Sequence, residues 1–136
     1  MQTLFAVLVL TLLGLSGLAI DGGQLFVARR NTQALADAAA RAGAGQLDQV
    51  ALRSDPASPA QIDPAAAADA AMAYIGEVRP DAKLRVIEVD AAHIIVEVTS
   101  PPVPVTLLQL TGAGKSVTVQ AIGQAQPQTG ITEPGQ

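Results

Sequence analysis

The sequence predicts an α+β protein. We expect a long N-terminal transmembrane helix that continues into an Ala-rich amphipathic helix, then a second short helix and a small three-stranded antiparallel sheet. Three observations predict this class. The first 20 residues carry no charged side chain, residues 22–48 are rich in Ala and lack Pro, and the later part contains runs of β-branched residues. A chain of 136 residues has room for one small domain beside the apolar segment.

Residues 1–28 are predicted to form a transmembrane helix. Within Leu4 to Ile20 the only polar side chains are Thr11 and Ser16. Twenty helical residues reach about 30 Å, which is the thickness of the hydrocarbon core of a bilayer. The basic pair Arg29-Arg30 ends the apolar stretch.

The alternative interpretation of this segment is a cleaved signal peptide. Gly17-Leu18-Ala19 offers small residues at a suitable spacing, but a positive region before the apolar stretch is missing.

The distribution of basic residues around the span predicts an orientation that conflicts with an exported domain. Because Arg29 and Arg30 follow the span, the positive-inside rule favours a cytoplasmic C-terminal part.

Residues 29–53 are predicted to be an Ala-rich helix that emerges from the membrane. Small and apolar side chains recur at alternating spacings of three and four, which is typical of one helix face. These residues are Leu25, Ala28, Thr32, Leu35, Ala39 and Ala42. We expect this stripe to contact a partner helix. We also expect an ion pair between Asp37 and Arg41, and a weakened helix end at Gly43 and Gly45.

A small α+β domain is predicted over residues 65–126, after a Pro-rich linker over 54–64. Asp63 is expected to cap the second helix, with Pro64 at its first position and Gly76 at its end. A turn follows at Arg79-Pro80-Asp81.

Three strands complete the predicted domain. The first two, Leu84 to Val89 and Ile94 to Thr99, read as a hairpin, and Ser116 to Ile122 reads as the third. Between them, Val105 to Leu110 is either a helical turn or a strand edge. Residues 127–136 are polar and contain Pro and Gly, so we expect a disordered tail.

Composition excludes several functional classes. The chain has no Cys, one His and a net charge of -4, so thiolate chemistry, a Cys or His metal site and nucleic-acid binding are not expected. Gly112 to Ser116 spells GAGKS, but Gln109 stands where a phosphate loop needs Gly, and strand-forming residues follow. We therefore predict a turn there, no nucleotide and no cofactor.

Two groups of polar residues have a functional interpretation beside the structural one. Glu88, Asp90 and Glu97 are expected to be solvent-facing charges of the hairpin, and the alternative is that they lie near one another and serve acid–base chemistry. His93 is expected at the hairpin loop or strand edge rather than as a metal ligand. Asp21 is either an interfacial residue in water or a buried carboxylate that pairs with a neighbouring chain.

The region around Asp21 resembles the N-terminal region of TadE/TadG-like Tad (Flp, tight adherence) pilus-assembly proteins. That family shows an apolar span ending in Ala-Ile/Val-Asp-x-Gly, then an aromatic, basic residues, a Leu-Gln pair and an Asp-Ala-Ala-Ala run. The resemblance covers roughly residues 4–48. The matching family-motif and interaction residues are Asp21, Gly23, Phe26, Arg29, Arg30, Gln33 and Asp37, followed by Ala38 to Ala40.

The resemblance implies a bacterial, single-pass, non-catalytic membrane protein of a Tad/Flp-type pilus-assembly and secretion system, with its C-terminal domain extracytoplasmic. It implies pilin and other Tad assembly proteins as partners, beside membrane lipid. Thr32 and Arg41 depart from the Leu usual in the family. A basic N-terminal stretch is also missing, and we expect basic residues upstream of Met1. The alternative is an anchored or secreted small binding module unrelated to pili, and the least favoured is an anchored hydrolase.

Overall fold

A computed structural model describes residues 2–55, 59–105 and 116–127. It confirms the α+β class, with a long N-terminal helix, two shorter helices and a three-stranded antiparallel sheet. The predicted segment at Val105 to Leu110 lies outside the described residues except for Val105. Most of GAGKS and all but one residue of the predicted tail also lie outside them.

The long helix α1 spans Gln2–Ala44 without a break, so the predicted membrane and emergent helices are one element. It ends earlier than residue 53, where we expected the emergent helix to end. A separate short helix, α2 (Gln49–Ser54), follows it. The Asp48 carboxylate caps α2 by accepting hydrogen bonds from the Val50 and Ala51 amides at 2.8 and 3.0 Å.

The Pro-rich segment after α2 returns to the core. Ile62 forms an isolated antiparallel bridge with Leu47, and its amide donates to the Ala91 carbonyl at 2.9 Å. The Ile62 side chain is buried. The second half of this predicted linker is therefore fixed by backbone hydrogen bonds to the chain after α1 and to the hairpin loop.

Helix α3 spans Pro64–Val78 and begins as predicted. The Asp63 carboxylate accepts from the Ala65 amide at 3.0 Å, and Pro64 occupies the first helical turn. The prediction that Gly76 ends the helix is wrong, because the helix continues to Val78 and Arg79 caps it. The turn at Arg79 to Asp81 is present, and the Ala82 amide closes it on the Arg79 carbonyl at 3.0 Å.

The strands are β1 (Lys83–Val89), β2 (Ile94–Thr99), β3 (Val103–Pro104), β4 (Ser116–Val117) and β5 (Gln120–Ala125). The main sheet has strand order β1-β2-β5, with both pairs antiparallel. The predicted hairpin is confirmed, and a β-bulge interrupts β1 between Val86 and Glu88. The predicted third strand is split into β4 and β5, and β4 pairs with β3 in a second sheet.

Helices α1 and α3 pack together against one face of the main sheet. The core between them consists largely of Ala, with larger side chains from the central strand. Its buried residues include Ala36, Ala39, Ala40, Ala67, Ala71, Ile75, Ile94, Val96, Val98 and Ala121.

Two glycines permit the close approach in this Ala-rich core. A Cβ at Gly43 would lie 2.9 Å from the Ala67 carbonyl oxygen, which belongs to α3. A Cβ at Gly123 would overlap the Ala36 carbonyl of α1. Neither contact tolerates a side chain without moving backbone, so α1 is fixed against α3 by one glycine and against β5 by the other.

Candidate functional site

The first half of α1 is an exposed apolar rod. Its large side chains are 37–77% exposed and are not covered by the described part of the chain. Residues 2–20 span about 28 Å along the helix axis. Among the described residues α1 is the one helix that is long and apolar enough to cross a membrane. The exposed side chains are Leu4, Phe5, Val7, Leu8, Val9, Leu10, Leu12, Leu13, Leu15, Leu18 and Ile20.

The second half of α1 is a core helix of the domain. The predicted stripe is real, but the fully buried residues form a band slightly rotated from it, including Ala36, Ala40 and Gly43. Helix α3, β2 and β5 of the same chain cover this band. The expectation that the stripe contacts a partner helix is therefore wrong, because the chain's own domain occupies it.

Asp21 lies where the exposed and buried halves meet. It is 3% exposed and has an interaction partner, so it is not an interfacial carboxylate in open water. One further polar residue, Thr32, is buried on the same side of the helix. Its hydroxyl donates to the Ala28 carbonyl at 2.7 Å, which satisfies the donor at the position where the family usually has Leu.

Gln33 and Asp37 join α1 to the edge strand of the sheet. The Gln33 amide nitrogen Nε2 donates to the Ile122 carbonyl at 2.8 Å and to Asp37 Oδ1 at 3.0 Å. Asp37 thus bonds to Gln33 one turn earlier, and the expected ion pair with Arg41 is not formed. These two motif residues have a clear structural task, since they hold β5 beside the helix.

Five of the seven family-motif residues line one shallow groove of about 460 Å³ on α1. Phe26, Arg29 and Arg30 form its membrane-proximal end, and Gln33 and Asp37 form its domain end. Asp21 does not line it because it faces the domain, and a Cβ at Gly23 would meet open space. The groove side chains are exposed except Asp37, which is half-buried.

A second concavity, of about 340 Å³, lies between α1, the end of α3 and the chain after β2. Its polar groups are largely committed to structural bonds. Ser100 Oγ donates to the Pro101 carbonyl and accepts from the Val119 amide, and Arg79 pairs with Asp81 at 3.0 Å. This cleft therefore presents a mainly apolar wall with few polar groups that remain available to a ligand.

The three hairpin carboxylates are not gathered into one acid–base site. Glu97 pairs across the strands with Arg85 at 2.7 Å, whereas Asp90 and Glu88 face His93 at 3.1 and 3.8 Å. Asp90 shapes the loop, and hydrogen bonds from the Ala92 and His93 amides lower the pKa of its carboxyl below the ordinary 3.8. His93 lies at the loop, as predicted. Glu88, Asp90 and His93 thus form a small cluster in which both carboxylates face the half-buried imidazole.

Sequence reasoning missed the link between α1 and β5. Gln33 was identified only through the resemblance, and its bond to Ile122 joins residues 89 positions apart. Gly123 carried a usable signal, because Gly inside a strand pattern often marks a close backbone approach. The short helix α2 had a similar signal in the capping residue Asp48.

The geometry defines a class of protein: a small α+β domain folded around one end of a long helix whose other end is apolar and uncovered. Residues 3–46 match the Tad family model, described as Flp pilus-assembly TadE/G-like. The matched segment is α1 and the two residues after it, about a third of the chain. The resemblance is thus confirmed over these residues. No curated protein and no solved structure matches the chain.

Proposed function

We propose that this protein is a membrane-anchored, non-catalytic component of a Tad/Flp-type pilus-assembly and secretion system. The match of residues 3–46 to the pilus-assembly family carries the proposal, because it coincides with α1. The uncovered apolar half of that helix supports a membrane anchor, since exposed apolar surface of this size marks an interaction site. The partners we propose are pilin and other Tad assembly proteins.

We place the domain on the extracytoplasmic side, as assembly of an external pilus requires. The arginine pair after the span favours the opposite orientation by the positive-inside rule. The rule depends on the basic residues on both flanks of a span. The orientation is therefore a separate part of the proposal and needs its own measurement.

We propose that the protein acts by packing its membrane helix against partner helices. Gly inside a helix costs about 1 kcal/mol relative to Ala, so an exposed helical Gly needs a reason. A Cβ at Gly14 would meet nothing within 4 Å in the described part of the chain. Small residues let helices approach closely in lipid, and Gly17, three residues further along, extends this small surface on the same side of the span.

The seven motif residues divide between two roles in this proposal. Gln33 and Asp37 fix the domain on α1, and Asp21 is covered at the start of the domain. Gly23, Phe26, Arg29 and Arg30 lie nearer the apolar half of α1 and are exposed, so another molecule has access to them. These four are our candidates for direct interaction.

Replacement of Gly14 tests the packing proposal without disturbing the domain. Gly14→Leu should reduce crosslinking to Tad components in the native host's membranes, because the larger side chain separates the helices. Ser16→Leu is the matched control, since Ser16 lies about 200° around the helix from Gly14 and is also exposed. Equal crosslinking of both variants and the wild type would contradict packing through this face.

Ala39 belongs to the predicted stripe of small residues, but its substitution would not test packing against a partner. It is fully buried in the domain core, so Ala39→Leu would disturb folding whether or not a partner is present. A loss of crosslinking in that variant would therefore carry no information about assembly.

A further inference from the structure

The apolar surface of α1 ends at different positions along the helix axis on the two sides of the helix. Toward the domain, the first charged residue is Asp21, which is 3% exposed. On the opposite side, apolar surface continues through Val27 and Phe26, which are 54% and 68% exposed. The first charge there is Arg30, about 180° around the helix from Asp21 and about 14 Å further along its axis.

A flat membrane surface coincides with the end of the apolar surface on both sides of α1 only if the helix is tilted from the membrane normal. An upright helix that places Asp21 at the surface would raise Phe26 and Val27 into water. When α1 tilts toward its uncovered side, these two side chains enter the bilayer and Asp21 stays under the domain. Tilt of a transmembrane helix is set by its interfacial anchors and its packing, and basic and aromatic residues are the usual anchors.

The positive charge of Arg29 and Arg30 indicates which groups these side chains bind. Arg29 and Arg30 are exposed, and neither makes an ion pair within the described part of the chain. Guanidinium groups remain charged and bind phosphate through several donors. Basic residues directly beyond an apolar segment are attracted to anionic lipid. The continuity of Phe26 and Val27 with the span puts both arginines at the height of lipid phosphates.

We propose that the uncovered face formed by Phe26, Val27 and Arg30, with Arg29 at its edge beside Phe26, lies on the membrane surface and binds the phosphates of anionic phospholipids. Helix α1 then leans, and the domain rests on its upper side, turned away from the bilayer. The inference rests on the proposed membrane anchor. It adds a lipid class, a contact surface and an orientation of the domain.

Single tryptophans test this arrangement, because the native chain contains none. Phe26→Trp, Leu12→Trp and Val50→Trp place a reporter in the proposed face, in the span and on the exposed surface of α2. Each full-length variant is reconstituted in vesicles of phosphatidylcholine and phosphatidylglycerol that contain lipids brominated either near the headgroup end of the chain or near its methyl end. We expect headgroup-end bromines to quench Trp at position 26, methyl-end bromines to quench Trp at position 12, and neither to quench Trp at position 50.

The outcomes separate this inference from the anchor itself. Quenching at position 12 but not at 26 would overturn the proposed face and leave the anchor intact, as expected if a protein partner covers Phe26 instead. Quenching at neither position would overturn both proposals.

A charge variant tests the lipid class. Arg29→Gln combined with Arg30→Gln, in the Phe26→Trp background, should lower quenching at position 26 in vesicles that contain phosphatidylglycerol. Each arginine should change, by about fivefold, the ratio of molecules whose proposed face lies on the membrane to molecules whose face lies in water. Pure phosphatidylcholine vesicles should show a much smaller difference. Equal effects of the substitution in both vesicle types would overturn the binding of anionic headgroups.

Discussion

The two halves of α1 show how one continuous helix serves two environments. Residues 2–20 expose large aliphatic side chains on every side, whereas the second half buries Ala and Gly against the domain. Large side chains suit a helix surrounded by lipid, and small ones let α3 and the sheet approach closely. The comparison teaches that the small-residue stripe in the second half of α1 serves internal packing, so a partner of the proposed kind would meet the uncovered surfaces.

The largest effect is expected in the apolar half. Leu12→Lys should make membrane insertion less favourable by about 3 kcal/mol, because a charged side chain at the centre of a span is poorly tolerated. The measurement is recovery of the protein in carbonate-washed membranes. Val50→Lys is the control, since Val50 lies on the exposed surface of α2 and should leave recovery unchanged. Equal recovery of both variants would contradict insertion of this half.

The buried half should respond to volume instead of charge. Gly123→Ala should destabilise the domain by about 2–3 kcal/mol, because the new methyl group overlaps the Ala36 carbonyl and forces β5 away from α1. Gly76→Ala is the matched control. Its Cβ meets nothing, and it should stabilise α3 by up to about 1 kcal/mol. Thermal unfolding in detergent should move in opposite directions, and a lower midpoint for both variants would argue against the close approach.

A smaller effect is expected where the helix bonds to the sheet edge. Gln33→Ala removes the hydrogen bonds to Ile122 and Asp37 and should cost about 1 kcal/mol of stability. Gln24→Ala, at another exposed position on α1, is the control and should have little effect on chemical denaturation. If both variants unfold at the same denaturant concentration, Gln33 does not fix β5.

The smallest effect concerns pH and lies in the hairpin loop. Backbone hydrogen bonds lower the pKa of Asp90 below 3.8, so its carboxylate adds stability above that unfolded-state value and loses it as pH falls through the folded-state pKa. Asp90→Asn retains an acceptor but not the charge. The stability gap between wild type and variant should be present at pH 7 and close in acid. A gap independent of pH would contradict this role.

Local signals predicted much of the fold. The uninterrupted helix, the Asp63-Pro64 start of α3 and the hairpin follow from hydropathy, capping and β-branched runs. The cover over Ala36 and Ala39 was not predictable in this way, because residues far away in the sequence provide it. The split of the third strand has a similar cause, since Ser100 bonds to Val119 just before β5 begins.

The candidate site was predicted only as a set of residues. The resemblance identified Phe26, Arg29, Arg30, Gln33 and Asp37, and the structure places all five around one groove. Their division into a structural pair and an exposed patch depends on how far along α1 the strand β5 reaches, because all five lie within about 100° around the helix. Helical periodicity alone does not give that position, since the contact with Ile122 comes from residues far away in the sequence.

The central claim is that α1 anchors the domain outside the membrane, and the absence of native cysteine allows a direct measurement. Ala73→Cys places one thiol on the exposed surface of α3. Intact cells are treated with a membrane-impermeant maleimide, and the membrane fraction, the medium and a lysed sample are compared. The account predicts labelling in intact cells, with the labelled protein in the membrane fraction. Labelling only after lysis would place the domain in the cytoplasm, and labelled protein only in the medium would show a cleaved, secreted module; either result would contradict the account.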